Sequence, residues 1–246
     1  AGFLALLEWN RAAARGERPA DGHFVTFWRL LLAYPEVLAW EKLWSDSQHQ
    51  LFKEIYGTAK AIAPRVRIGW HIWHTASFSP FFRAEQDFTE IAHYSDFVKP
   101  VLYNNCAGPR FHRFLTRLHQ ALFADGAPEE TYGFVQRVLG YEEAAFEALP
   151  RAGFSAEYVR RETARTVAGV RGGCAVYPGI DIDVPTGPDE KRTTPEDVSH
   201  AVLAAARGGA DGVILSRKYS EMRLENLAGA GEALRRWAAE RREAGQ

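Results

Sequence analysis

Sulfur is scarce in this chain, which has two cysteines and one methionine in 246 residues. Cys106 and Cys174 are too few for a disulfide framework and lack the paired spacing of a structural zinc site. An excess of one charge is also missing: 30 Lys and Arg face 31 Asp and Glu, leaving no overall field to recruit nucleic acid or an acidic membrane. No uninterrupted apolar run approaches the roughly 20 residues needed to cross a bilayer. The opening Gly2-Phe3-Leu4-Ala5-Leu6-Leu7 is apolar, but no basic region precedes it and it runs into Glu8 and Arg11, so it reads as a core helix and not a signal peptide. The expected protein is soluble, either cytoplasmic or exported with an upstream signal removed. No Gly-x-Gly-x-x-Gly or Gly-x-x-x-x-Gly-Lys-Ser/Thr loop follows an apolar run, so nucleotide binding gains no support and no cofactor is expected.

What is present is enough apolar residue to build a core, at 46% of the chain beside 25% charged. Five short apolar runs each close on polar chemistry: Val37 to Glu41, Val66 to His74, Phe97 to Asn105, Cys174 to Asp183 and Gly212 to Lys218. Helical spacing fills the intervals, with helices expected over Phe3 to Arg15, His23 to Ala33, Gln48 to Ile62, Ala84 to Tyr94, Glu196 to Arg207 and Leu224 to Glu243. Thr194-Pro195-Glu196-Asp197 supplies an N-cap, a first-turn proline and two acids at one helix start. Gly208-Gly209 supplies the exit into Ala210-Asp211-Gly212-Val213-Ile214-Leu215. Pro100 weakens the third run as a strand, because proline has no ladder donor. The stretch 111–169 is mostly helical and longer than one crossover needs, so it reads as a helical excursion.

Five alternating strands and helices that end in polar residues predict an α/β fold, a (β/α)8 TIM-type barrel whose strands deliver side chains to one rim. Because eight units close a barrel and the chain opens within a helix, residues 1–246 are expected to be the C-terminal portion of one such domain. An open doubly wound sheet is the alternative.

Trp40-Glu41-Lys42-Leu43-Trp44, Gly69-Trp70-His71-Ile72-Trp73-His74, Lys99-Pro100-Val101-Leu102-Tyr103-Asn104 and Gly179-Ile180-Asp181-Ile182-Asp183 together give the chain a loose, architectural resemblance to β/α-barrel glycoside hydrolases. The likeness is to the β-galactosidase-like clan, with carboxylates on strands four and seven. Trp40-Glu41 stands where that clan commonly has Asn-Glu. The resemblance implies cleavage of O-glycosidic bonds by paired carboxyl groups, with Glu41 as proton donor and Asp181 or Asp183 as nucleophile or base. Such pairs stand roughly 5 to 5.5 Å apart for retention and 6.5 to 9.5 Å for inversion.

Around that pair, Trp73 offers a platform for a sugar ring, and His71, His74, Tyr103 and Asn104 offer hydrogen bonds to its hydroxyls. Arg217 and Lys218 could hold a carboxylate or phosphate at the last rim. His71-x-x-His74 does not match the helical zinc spacing, and no metal is expected. Lys99 or Lys218 opens a different chemistry, that of a barrel lyase or aldolase working through a Schiff base. A carbohydrate-binding barrel without turnover is the third reading. The expected partner is a carbohydrate substrate, with neither nucleic acid nor membrane, and homo-oligomerisation stays open.

Overall fold

Glycine and proline set the limits of the first helices in the computed structural model, which describes residues 1–244. Helix α1 (Gly2–Ala14) ends ahead of Gly16, whose φ of +74° suits glycine. Helix α2 (His23–Ala33) starts at Gly22 and stops before Tyr34-Pro35. Pro35 then opens α3 (Glu36–Ile62), a 27-residue helix. The expected strand Val37 to Trp40 is the first turn of this helix. Proline suits a helix start, Glu36 complements the dipole there, and Lys42 pairs with Asp46 one turn on at 2.7 Å, with no turn signal to interrupt the run.

The strands are short and all parallel. β1 (Gly69–Ile72) pairs with β2 (Phe97–Pro100), which pairs with β3 (Ala175–Val176). β4 (Gly179–Asp181) pairs with β5 (Ile214–Ser216), and a bridge from Val101 to Gly179 joins the two ladders. β3 and β4 are thus one strand broken at Tyr177-Pro178. The register Val98 to Val176 and Val101 to Gly179 sets Pro100 opposite Pro178, so the break falls where neither residue has an N–H for the ladder. Four staves result, each new one added beside the last in chain order.

Between β1 and β2 lie three short helices, α4 (Thr75–Phe78), α5 (Pro80–Ala84) and α6 (Phe88–Ala92). The helical excursion comprises α7 (Asn104–Leu118), a π-helical turn His119–Phe123, α8 (Pro128–Leu139), α9 (Leu149–Ala152) and α10 (Ala156–Val170). Helix α11 (Pro195–Arg207) precedes β5, and α12 (Leu224–Ala244) follows it.

Alternation divides the sheet. Ile72, Val98, Val176, Ile180 and Ile182 are buried in the two hydrophobic clusters on the helical side, with Ile91 and Val170 in one cluster and Tyr158, Val198 and Val202 in the other. Phe52 of α3 stacks on Trp70 at 4.1 Å, which seats α3 against the β1 edge. The other face carries His71, Phe97, Lys99 and Tyr177, none of them buried. No helix of the described residues is long and apolar enough to cross a membrane.

Candidate functional site

The C-terminal ends of parallel strands are where side chains from distant parts of a chain meet. At the exit of β1, Trp73 is 68% exposed and meets the edge of the His71 ring at 5.9 Å. His74 turns the other way and is buried, with its Nδ1 3.0 Å from Nη1 of Arg110 on α7. Burial, with the Arg110 charge beside it, holds His74 well below the ordinary imidazole range, so its ring is neutral at pH 7. Burial and the nearby Lys99 ammonium also lower the pKa of His71.

One stave further, Lys99, Tyr103 and Ser216 gather around Gly179. A β-carbon placed on Gly179 would lie 2.8 Å from Cε of Lys99, 3.3 Å from Cε1 of Tyr103 and 3.5 Å from Oγ of Ser216. The bare backbone of Gly179 is what lets three chemically active side chains converge, Lys99 from β2, Tyr103 from the start of α7 and Ser216 from β5. Burial lowers the Lys99 pKa, and no carboxylate pairs with Lys99 among the described residues. Burial raises the Tyr103 phenol, with the Ser216 hydroxyl working against the rise.

Asp181 closes β4 with no exposure at all. Its Oδ1 accepts from the Thr193 hydroxyl at 2.6 Å and its Oδ2 from the backbone N–H of Cys106 at 3.3 Å, in the first turn of α7. Burial raises its pKa, while Thr193 and the Cys106 N–H oppose that. The neighbouring Cys106 thiol is pushed up to about 12 by burial and the Asp181 charge, and stays protonated. Both Asp181 oxygens are therefore occupied, Oδ2 in holding α7 to the sheet and Oδ1 in holding the segment that leads into α11.

Asp183 lies past the end of the ladder, and its φ of 141° turns it away from the alternation that would have paired it with Asp181. Its carboxylate accepts from the backbone N–H and Nε of Arg223, both at 2.8 Å, and from Nδ2 of Asn226 at 2.9 Å. Asp183 clamps the start of α12, and these bonds hold the strained backbone.

The proposed acid Glu41 does not reach this edge. It is exposed on α3, beside Glu85, whose pKa is raised by burial and by the Glu41 charge. A helix in place of the expected strand carries Glu41 along the outer layer and separates it from Asp181. Asn104 is buried and donates to the Phe154 carbonyl at 3.3 Å, tying α7 to the start of α10. Arg217 and Lys218 both pair with Glu221, which leaves them as a local cluster behind β5. The rim thus unites His71, Trp73, His74, Lys99, Tyr103 and Asp181, and excludes Glu41.

Arg110, Thr193 and Ser216 complete the arrangement without having been read from the sequence. Arg110 had a legible signal: Arg110, Arg113 and Arg117 recur at helical spacing and so share one face of α7. Thr193 and Ser216 carry none, because a single hydroxyl in a loop or strand does not announce its partner. The chain matches no family model, no curated protein and no solved structure with which it was compared.

Proposed function

We propose that this chain recognises glycosides at the C-terminal edge of its sheet, as the sugar-binding part of a β/α barrel of the glycoside hydrolase type. The observation that carries the proposal is Trp73, a large apolar ring left exposed at a strand exit between His71 and the His74–Arg110 pair. An indole face covers the C–H surface of a pyranose while imidazole and guanidinium groups reach its hydroxyls. The order of the staves supports the barrel half of the proposal. Each strand is added beside its predecessor without the reversal of a doubly wound sheet. Recognition is the better supported part, since the expected acid of the hydrolytic pair, Glu41, stands in the outer layer.

Calorimetric titration of the chain with a panel of neutral and acidic oligosaccharides tests this reading, with chromogenic glycosides in parallel for turnover. Binding that weakens at least about tenfold in Trp73→Ala, with the fold retained, supports it. Failure to bind any saccharide overturns it.

The Lys99 cluster favours a second reading, a lyase or aldolase. A half-buried amine whose pKa is lowered by desolvation is a nucleophile in waiting, and Tyr103 and Ser216 lie where they could move protons. The amine nitrogen would bond to a carbonyl carbon, and the carbonyl oxygen would leave as water. Borohydride reduction of the resulting imine would leave a stable adduct on Lys99, read by mass spectrometry; an unlabelled Lys99 across a panel of sugar aldehydes and ketones would dismiss this chemistry.

A further inference from the structure

Beside the Trp73 rim, between the β1 exit loop and α7, lies a cleft of about 410 Å³. Its volume falls in the range of roughly 300 to 1,000 Å³ that takes small ligands. Trp73, His74 and Phe114 contribute its rings, and Arg110, Arg113 and Arg117 its charge. Arg113 is paired with Glu190 at 2.6 Å. Among the described residues Arg110 and Arg117 have no carboxylate at ion-pair distance, so two of the three guanidinium groups enter the cleft wall uncompensated.

His74 adds an independent observation. Arginine is only a donor, so the nitrogen that faces it, Nδ1, must accept, and in a neutral ring the proton then sits on Nε2. That Nε2–H is buried and has no hydrogen-bond partner. The rings of Phe78 and Tyr103 pack on the imidazole at 5.1 and 5.6 Å between centroids. Nε2 has no surface open to the cleft, so His74 acts on the cleft through Nδ1, which accepts from Nη1 of Arg110 and holds that guanidinium in the wall.

We infer that this cleft binds an oxyanion carried on a sugar ring, a carboxylate or a sulfate, with Arg110, held in place by His74, as its donor, Arg117 beside it and Trp73 under the ring. The two guanidinium groups select an acidic saccharide over a neutral one, because a neutral hydroxyl in the same place would leave both charges unpaired. This inference rests on the glycoside reading above and names the class of sugar.

The test is calorimetric titration of the full chain with four probes: a digalacturonate, the matching neutral galactobiose, galactose 6-sulfate and inorganic sulfate. The expected result is binding of the two acidic sugars at least about tenfold tighter than galactobiose, an advantage lost in Arg117→Gln while galactobiose affinity stays unchanged, whereas Arg110→Gln weakens all three sugars. Arg117 is exposed, so its variant reads the charge without disturbing the core. Galactobiose bound as tightly as the acidic sugars would overturn the anion site and leave the glycoside reading in place. Sulfate bound with no sugar bound, or no binding of any probe, would overturn the acidic-sugar site, and the wider oligosaccharide panel then decides the glycoside reading separately.

Discussion

Asp181 accepts from a hydroxyl and from a helix N–H at zero exposure, and the two contacts give its carboxylate a structural task that the sequence did not reveal. Thr193→Val keeps the shape of the Thr193 side chain and removes the donor, so it should cost about 1.5 to 3 kcal/mol in urea denaturation. The pH dependence follows from the raised Asp181 pKa. A group that holds its proton more tightly in the folded chain contributes stability that is complete below its unfolded pKa and is lost as pH rises through the folded value. Asp181→Asn, which cannot ionise, should therefore gain on the wild type as pH rises above the ordinary aspartate range of about 4. Stability curves of the two proteins that stay parallel as pH rises from there would show that Asp181 does not titrate as its burial requires. Alternation along the strand placed Asp181 and Asp183 on one face, but the ladder ends at Asp181. Beyond it the period of two no longer applies, so Asp183 went to α12 instead of the rim.

Elements were legible where local chemistry and tertiary packing agree. The Thr194 cap of α11 is present as read: its hydroxyl accepts from the Asp197 N–H, and the Asp197 carboxylate accepts from the Thr194 N–H at 2.9 Å. Thr194→Ala should cost about 1 kcal/mol of stability by chemical denaturation. Val37 to Trp40 was misread because a run of four apolar residues has no period to separate strand from buried helix, and only its continuation to Ile62 decides. The broken third stave was half legible: Pro100 signalled a ladder fault, but its effect on the partner strand at Pro178 depends on a register the sequence does not contain. Glycine positions separate along the same line. Gly229 of α12 abuts α11, where an added β-carbon would meet the Pro195 carbonyl oxygen at 2.3 Å, while Gly57 within α3 has nothing within 4 Å. Gly229→Ala should destabilise the chain by about 1 to 3 kcal/mol through overpacking, and Gly57→Ala should stabilise it by about 0.5 to 1 kcal/mol through helix propensity. Thermal melts of both variants in the same direction would contradict the packing of α11 on α12.

Across the whole molecule the apolar residues are not all used. Helix α3 has two sides: His49, Phe52 and Tyr56 turn toward the sheet, while Trp40, Trp44, Leu51, Ile55 and Ile62 follow one another at intervals of four and seven residues on the opposite side. At 100° per residue those five form a single stripe, and every one of them is exposed, Trp40 at 62% and Ile62 at 80%. The stripe accounts for the difficulty of reading this region, since a helix apolar on two faces resembles a buried strand over any short window. It also exceeds the scattered surface leucines that folded proteins tolerate, because its members are contiguous along the helix. Such a surface binds apolar dyes without any unfolding. The chain should enhance anilinonaphthalene sulfonate fluorescence at neutral pH, and Trp40→Gln combined with Trp44→Gln and Ile55→Gln should remove most of that signal while leaving circular dichroism unchanged. Dye binding that persists in the triple variant would place the accessible apolar surface elsewhere, on the sheet face that carries Phe97 and Tyr177, and a further variant Phe97→Gln would then be the one to extinguish it.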